Sequence, residues 1–387
     1  MPTSMPIPTQ TLHIGFLFLD PHLGRGGLEN VLMNITKGLK AENILASVYM
    51  LDPATHPEFL KDMVSVHVAK ERSRLKQLRP HLPTFLARIT DKAILMLKVK
   101  DVCRQIEREK QLDALVILDL TDSYNLAAPI IEKTIKRLNI PLISWPHGTL
   151  SLTKPKTAAK LRHTMNLFDA HFAISHGIAG ELKETYRQEN IKIIYNPIES
   201  AEIIERDPVQ FLFLGRIADP VKRVKPMIEM LQKLKGDWKL DIYGSAGTIE
   251  ADEAFRQYLL QVDPEKHIRF HGWHENPWSV IDKGGVLLLN STNEGFSLVL
   301  AEAMMRGIAC VSTNCPVGPS EIVQNDENGW LFDVNDIDQC QVILQEIIDG
   351  KRLLPPQEQV QASVQKFSLE KVILNFKNNL IKLIEKR

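Results

Sequence analysis

Gly285-Val-Leu-Leu-Leu289 runs into Asn290-Ser-Thr-Asn-Glu294-Gly-Phe-Ser-Leu-Val-Leu-Ala-Glu302-Ala-Met-Met-Arg-Gly307, and the reading of this stretch decides the fold class. The apolar run predicts a buried strand. The glycine at 295 predicts a turn, and the residues after it a helix that stops before Gly307 with Arg306 in its last turn. Backbone N–H groups left open at such a helix start attract an anion such as phosphate. Glu294 and Glu302 repel phosphate, so they are expected to address hydroxyl groups on a ribose or a sugar. An anion site flanked by hydroxyl acceptors points to a nucleotide-sugar.

Working outward, short apolar runs alternate with longer helical patterns. Strands are expected at 13–19, 46–51, 113–119, 140–145, 169–174 and 191–195, then at 209–214, 238–243, 267–271, 285–290, 308–313 and 329–332. Such alternation predicts an α/β chain with doubly wound parallel sheets covered on both faces. The series pauses at Asn196-Pro197-Ile-Glu-Ser-Ala-Glu-Ile-Ile-Glu-Arg-Asp-Pro208, a polar segment with two prolines that reads as a linker. Two Rossmann-like domains are expected, facing each other across a cleft: residues 11–200 and 201–370. Residues 1–10 read as a proline-rich disordered tail. Residues 371–387 are expected to form a helix packing back on the first domain.

The chain has 387 residues, with 47 Lys+Arg against 47 Asp+Glu, so net charge marks it neither for nucleic acid nor for membranes. Its four cysteines show no CxxC pair or metal-ligand spacing, which fits a reduced compartment. No apolar run reaches the roughly 18 residues of a membrane span. His13–Leu19 lacks a basic leader and reads as a first strand, so a cytoplasmic protein is expected. Residues 71–112 differ from the rest: eleven Lys/Arg stand against five Asp/Glu, with Leu86, Ile89, Ala93, Met96 and Leu97 at helical spacing. Two readings stay open, a solvated helix covering the sheet or a basic amphipathic surface that meets an anionic membrane.

Three loops carry the remaining signal. Leu23-Gly24-Arg25-Gly26-Gly27 follows the first strand, where glycines admit a ligand close to the backbone. Gly215-Arg216 through Lys222-Arg223-Val-Lys225 follows the first strand of the second series and carries cations suited to a diphosphate. Ser144-Trp145-Pro146-His147-Gly148 ends an apolar strand with a histidine. Asp336-Ile-Asp338 has a metal-binding spacing but reads as a surface turn. HExxH, GxSxG and Walker A patterns are absent, which speaks against metalloprotease, esterase and ATPase.

The ordered set of Gly26-Gly27, His147-Gly148, Ser175, Asn196-Pro197, Gly215-Arg216, Lys222, Tyr243-Gly244 and Glu294-x7-Glu302 resembles the retaining glycosyltransferases of family 4, which have the GT-B fold. The element continues into Cys315-Pro-Val-Gly-Pro-Ser-Glu321 and Glu327-Asn-Gly329, and the first of these together with Lys222-Arg223-Val-Lys225 is most similar to lipopolysaccharide-core galactosyltransferases and their relatives using UDP-sugars. The resemblance implies an acceptor-binding first domain and a donor-binding second one. It implies that Arg216 and Lys222 hold the diphosphate and that Glu302 bonds the ribose. It places Glu294 and His147 at the donor sugar, with Gly295, Phe296, Ser297 and Leu298 near phosphate or sugar. Gly26, Gly27 and Gly244 would border the donor, and Gly272-Trp273 would flank the base. No cofactor or metal is implied. The expected partners are a nucleotide-sugar and a glycan or lipid-linked acceptor, with the protein peripheral on the inner membrane's cytoplasmic face. Many members have glycine where this chain has Arg223, which bears on the loop's geometry. A nucleotide-sugar 2-epimerase, a GDP- or ADP-sugar transferase and a silent binding module remain alternatives.

Overall fold

The computed structural model describes residues 11–20, 26–109, 111–118, 120–150, 155–263 and 266–387. The tail at 1–10 and Leu23, Gly24 and Arg25 of the glycine loop lie outside them. The chain divides into two compact units. The first runs through Pro197 and takes back Leu369–Arg387, and the second is Ile198–Ser368.

The first unit is built on β1 (Leu12–Phe18), β2 (Ile44–Met50), β3 (Ser65–Val68), β4 (Ala114–Ile117), β5 (Leu142–Ser144), β6 (Ala170–Ala173) and β7 (Ile191–Ile193). They form one sheet in the order β3-β2-β1-β4-β5-β6-β7, all pairs parallel. The second unit carries β8 (Gln210–Leu214), β9 (Lys239–Tyr243), β10 (Ile268–Gly272), β11 (Val286–Leu289), β12 (Ala309–Thr313) and β13 (Gly329–Phe332). Their order is β10-β9-β8-β11-β12-β13, again parallel throughout. The central strands are buried end to end because helices cover both faces. β3 has no counterpart among the expected strands. It is a four-residue edge strand, Ser-Val-His-Val, only part-buried, so it lacks the apolar run that marks the others.

In both sheets the strand order reverses beside the first strand of its series, between β1 and β4 and between β8 and β11. Ligands of such folds bind beyond the carboxyl ends of the strands at that point. The polar residues that start helices do so by capping: Thr121, Ser175, Thr248 and Asp336 each accept from a backbone N–H in the first turn. Asp336 of the DxD spacing is therefore a helix cap, and Asp338 lies 3.7 Å from Lys233.

The closing helix Leu369–Ile384 packs on the first unit. Phe376 is wholly buried, with its ring 5.4 Å from Trp145 and 5.3 Å from Phe172. Gly38 admits Ile373 so closely that a Cβ there would stand 2.6 Å from its terminal methyl, and Lys377 pairs with Glu42 at 2.7 Å. Helix Thr84–Arg108 buries Ile94, Val99, Val102, Cys103 and Ile106. On the same helix Phe85, Leu86, Ile89, Met96 and Leu97 are exposed, Phe85 by 72%. Among the described residues no helix is long and apolar enough to cross a membrane. Cys103, Cys310, Cys315 and Cys340 are buried free thiols.

Candidate active site

The carboxyl ends of β8 and β11 bring two loops together from residues some seventy positions apart. From the first, Lys222 reaches Glu294 of the second, Nζ to Oε1 at 2.6 Å, with both side chains largely buried. A short ion pair out of bulk water is a strong mutual restraint, because each charge would otherwise be left desolvated. Arg216 lies on the same loop, exposed, and its guanidinium meets Asp219 at 2.6 Å. Asp219 also accepts from Val221 N–H and so starts the turn Pro220–Lys222. Arg223 takes the left-handed backbone that glycine would take, at φ 45°. The residue that departs from glycine thus keeps a backbone conformation that glycine adopts freely.

Gly244 ends β9 against the first of these loops. A Cβ there would lie 1.9 Å from the Gly215 carbonyl oxygen, so only glycine lets the two turns touch. Gly215 N–H donates to Tyr243 O at 3.0 Å and Gly244 N–H to Gly272 O at 2.8 Å, which laces the three strand ends together. Trp273 follows Gly272 and is 46% exposed.

Beyond β11 the left-handed turn falls on Ser297 (φ 72°) rather than on Gly295, and the helix is short, Leu298–Met304. Ser297 Oγ and the nearby Ser291 Oγ are buried without a hydrogen-bond partner among the described residues. Phe296 turns its ring into the core, edge-on to Phe367 at 5.0 Å, leaving only its backbone for a ligand. Arg306 lies past the last helical turn, contrary to the expectation, because the helix closes at Met304. It still caps the end, donating to Glu302 O at 2.8 Å.

Glu302 sits in a different setting from Glu294. Its Oε2 accepts from Trp278 Nε1 at 3.0 Å, and the Arg306 guanidinium stacks on the Trp278 ring at 4.4 Å. Burial pushes the Glu302 carboxyl above the usual range, with the Trp278 bond and the Arg306 charge opposing. Trp278 carried no signal in the sequence, since Pro-Trp-Ser in a polar loop looks like any turn.

The first unit holds the other expected residues. Gly26 precedes helix Gly27–Ala41, whose first turn carries the buried Glu29. A Cβ on Gly26 would meet Glu29 Oε2 at 2.5 Å, so the carboxylate folds back over this helix start. His147 follows β5 with its ring 4.5 Å from Trp145. Its loop is pinned by Glu181, which accepts from Thr149 Oγ1 at 2.8 Å and Leu150 N–H at 2.7 Å. Ser175 is a helix cap, accepting from Ile178 N–H at 3.1 Å, and Asn196 is buried at the end of the unit. Among the described residues no group of three or more His, Cys, Asp or Glu is placed to hold a metal ion.

Residues 25–202 match Glycosyltransferase Family 4 and residues 197–365 match Glycosyl transferases group 1. The chain is 31% identical over 291 residues to Lipopolysaccharide 1,6-galactosyltransferase of Escherichia coli (strain K12), covering 72% of this chain and 77% of that one. The chain belongs to the family 4 glycosyltransferases. The transferase is also 30% identical over 256 residues to the Salmonella typhimurium enzyme of the same description, covering 63% of this chain and 68% of that one. Its fold is GT-B. It matches the lipopolysaccharide outer core galactosyltransferase WaaB in its apo form with a TM-score of 0.73 at 24% identity, covering 96% of this chain and 99% of that one. It matches Anabaena Alr3699/HepE in complex with UDP with a TM-score of 0.73 at 18% identity, covering 96% and 100%.

Proposed function

We propose that this transferase moves a hexose of galactose or glucose type from a UDP-sugar to a lipopolysaccharide-core or lipid-linked glycan, with retention and without a metal. The observation that carries the reading is the Lys222–Glu294 pair at 2.6 Å, one cation and one hydroxyl acceptor held at a single point beyond β8 and β11. Lys222 and Arg216 neutralise the diphosphate as its bond to the anomeric carbon breaks. Glu294 accepts from the sugar's hydroxyls, and Glu302, on the short helix that follows it, accepts from the ribose. The acceptor hydroxyl forms the new bond on the face the phosphate leaves, and its proton passes to the departing phosphate oxygen. Ser297 Oγ, buried and without a partner among the described residues, supplies a donor for a phosphate or sugar oxygen. His147, Gly26 and Gly27 of the first unit serve the same reaction.

The acceptor class rests on the two lipopolysaccharide 1,6-galactosyltransferases. A cytoplasmic, membrane-facing place is supported by helix Thr84–Arg108, where exposed Phe85, Leu86, Ile89, Met96 and Leu97 run beside exposed Arg88, Lys92, Lys100 and Arg104. Lys110 of this basic stretch lies outside the described residues.

A panel of UDP-, GDP- and ADP-sugars with truncated core oligosaccharides tests the reading. Release of UDP with an α-linked product from an α-linked donor is expected. Release of no nucleoside diphosphate by folded protein overturns it, and sugar isomerised without acceptor replaces it with an epimerase. Binding to anionic vesicles should fall steeply with salt. Absent or salt-independent binding removes the membrane part.

A further inference from the structure

Lys222 lies between two residues that tie its loop to the segment carrying Glu294. On one side, Thr292 N–H donates to Val221 O at 2.9 Å. On the other, the Arg223 guanidinium donates to Asn290 O at 2.9 Å, to Asn290 Oδ1 at 2.8 Å and to Val334 O at 2.8 Å. Asn290 Nδ2 answers by donating to Arg223 O at 3.1 Å. Three consecutive residues, 221 to 223, are thus each bonded into 290–294, the middle one by its ion pair.

Arg223 does this at φ 45°, a conformation glycine adopts freely and long side chains rarely do. Backbone preference alone would select glycine here. What offsets it is the planar guanidinium, whose fork spans the two oxygens of Asn290 and still reaches Val334. Asn290 is 2% exposed, so these charge-assisted bonds are made away from water, where they hold most firmly.

We propose that Arg223 is a positioning residue: it fastens the loop after β8 to the loop after β11, so that the Lys222 ammonium stays against Glu294 and is aimed at the donor's diphosphate. The inference rests on the donor roles proposed for Lys222 and Glu294. The side chain is spent on Asn290 and Val334 and acts through Lys222.

The test is a double-mutant cycle on donor kcat/KM, with UDP affinity measured by titration. Arg223→Gly keeps the backbone and removes the fork. It should lower kcat/KM about tenfold or more in the wild-type background, the scale of a displaced catalytic contact. In a Lys222→Ala background the same change should cost less than about twofold, because the group it positions is gone. Arg223→Lys, which keeps the charge but not the fork, should fall between. Asn290→Ala should reproduce Arg223→Gly and provides the same cycle if Arg223→Gly does not fold. An equal loss in both backgrounds would mean a general structural role and overturns the proposal, as does no loss in the wild-type background. Failure of the wild-type protein to bind UDP overturns the donor reading and this inference with it. UDP binding with an unaltered Arg223→Gly variant overturns this inference alone.

Discussion

The two sheets reverse their strand order at equivalent places, and the side chains gathered there differ in charge. Beyond β8 and β11 stand Arg216, Lys222 and Arg223, and their partners are carboxylates and carbonyl oxygens: Asp219, Glu294, Asn290 and Val334. Beyond β1 and β4, among the described residues, stand Asp20, Glu29 and Asp122, and two of them accept from hydroxyls. Ser123 Oγ donates to Asp20 at 2.7 Å and Thr157 Oγ1 to Asp122 at 2.9 Å. One topology has thus been given two chemistries. Where cations are held by oxygens, an anionic diphosphate can join those oxygens on the cations. Where acids hold hydroxyls, a sugar hydroxyl can take the place of serine or threonine. The difference supports the proposal above, in which the second unit takes the donor and the first a hydroxyl-rich acceptor.

The largest effect should come from the cation side. Lys222→Ala is expected to lower transfer by about 10²-fold or more, the usual cost of losing one preorganised group that meets developing charge. Steady-state kinetics with excess donor measure it, and a loss under about fivefold would erase the contrast between the two switch points. The next effect is on stability and sits in the first unit. His171 is buried, bonded to Ser144 at 2.6 Å and Gln188 at 3.0 Å, and burial pushes its imidazole down to about 4. Its folded pKa lies below its unfolded value near 6.5, so the unfolded chain binds the proton more readily. The stability it secures is complete above about pH 6.5 and is lost as pH falls toward 4, on the order of 3 kcal/mol at the acid end. Denaturant melts across that range should show the loss, and His171→Gln should flatten it. A slope unchanged in His171→Gln would remove the histidine from the account.

A smaller effect concerns Glu302. Because burial raises the Glu302 carboxyl, its ability to accept from a ribose should fade on acidification at a higher pH than an ordinary glutamate's. UDP affinity should fall over that interval in the wild type and be flat in Glu302→Gln. The smallest effect concerns Trp278→Phe, which removes one hydrogen bond to Glu302 and should weaken UDP by severalfold, about 1 kcal/mol. Tryptophan fluorescence on UDP addition offers a second view of the same contact.

Much of this architecture was legible in the chain because parallel strands buried on both faces are continuous apolar runs. Every strand expected from such runs pairs in one of the two sheets. β3 escaped because an edge strand needs no apolar run, only a neighbour with open N–H and C=O groups. At the site, Glu294 and Lys222 were visible as residue types in loops after strands, but their contact was not, being made by topology across 72 positions. Arg223 carried the least local sign of its task. Its partners Asn290 and Val334 lie 67 and 111 positions away, and the residue looked only like a departure from glycine. Ser297 also gave no sign of its left-handed backbone, because glycine is the usual residue for that conformation and here serine takes it.

The central claim, that the charge contrast between the switch points separates donor from acceptor, is tested most directly by titrating UDP into the wild-type protein, Lys222→Ala and Glu29→Gln, with melting curves to confirm folding. Wild type and Glu29→Gln should bind UDP within about twofold of each other while Lys222→Ala loses about tenfold or more, over about 1.4 kcal/mol. Lys222→Ala binding as tightly as wild type, or Glu29→Gln weakening UDP as much as Lys222→Ala does, would contradict it.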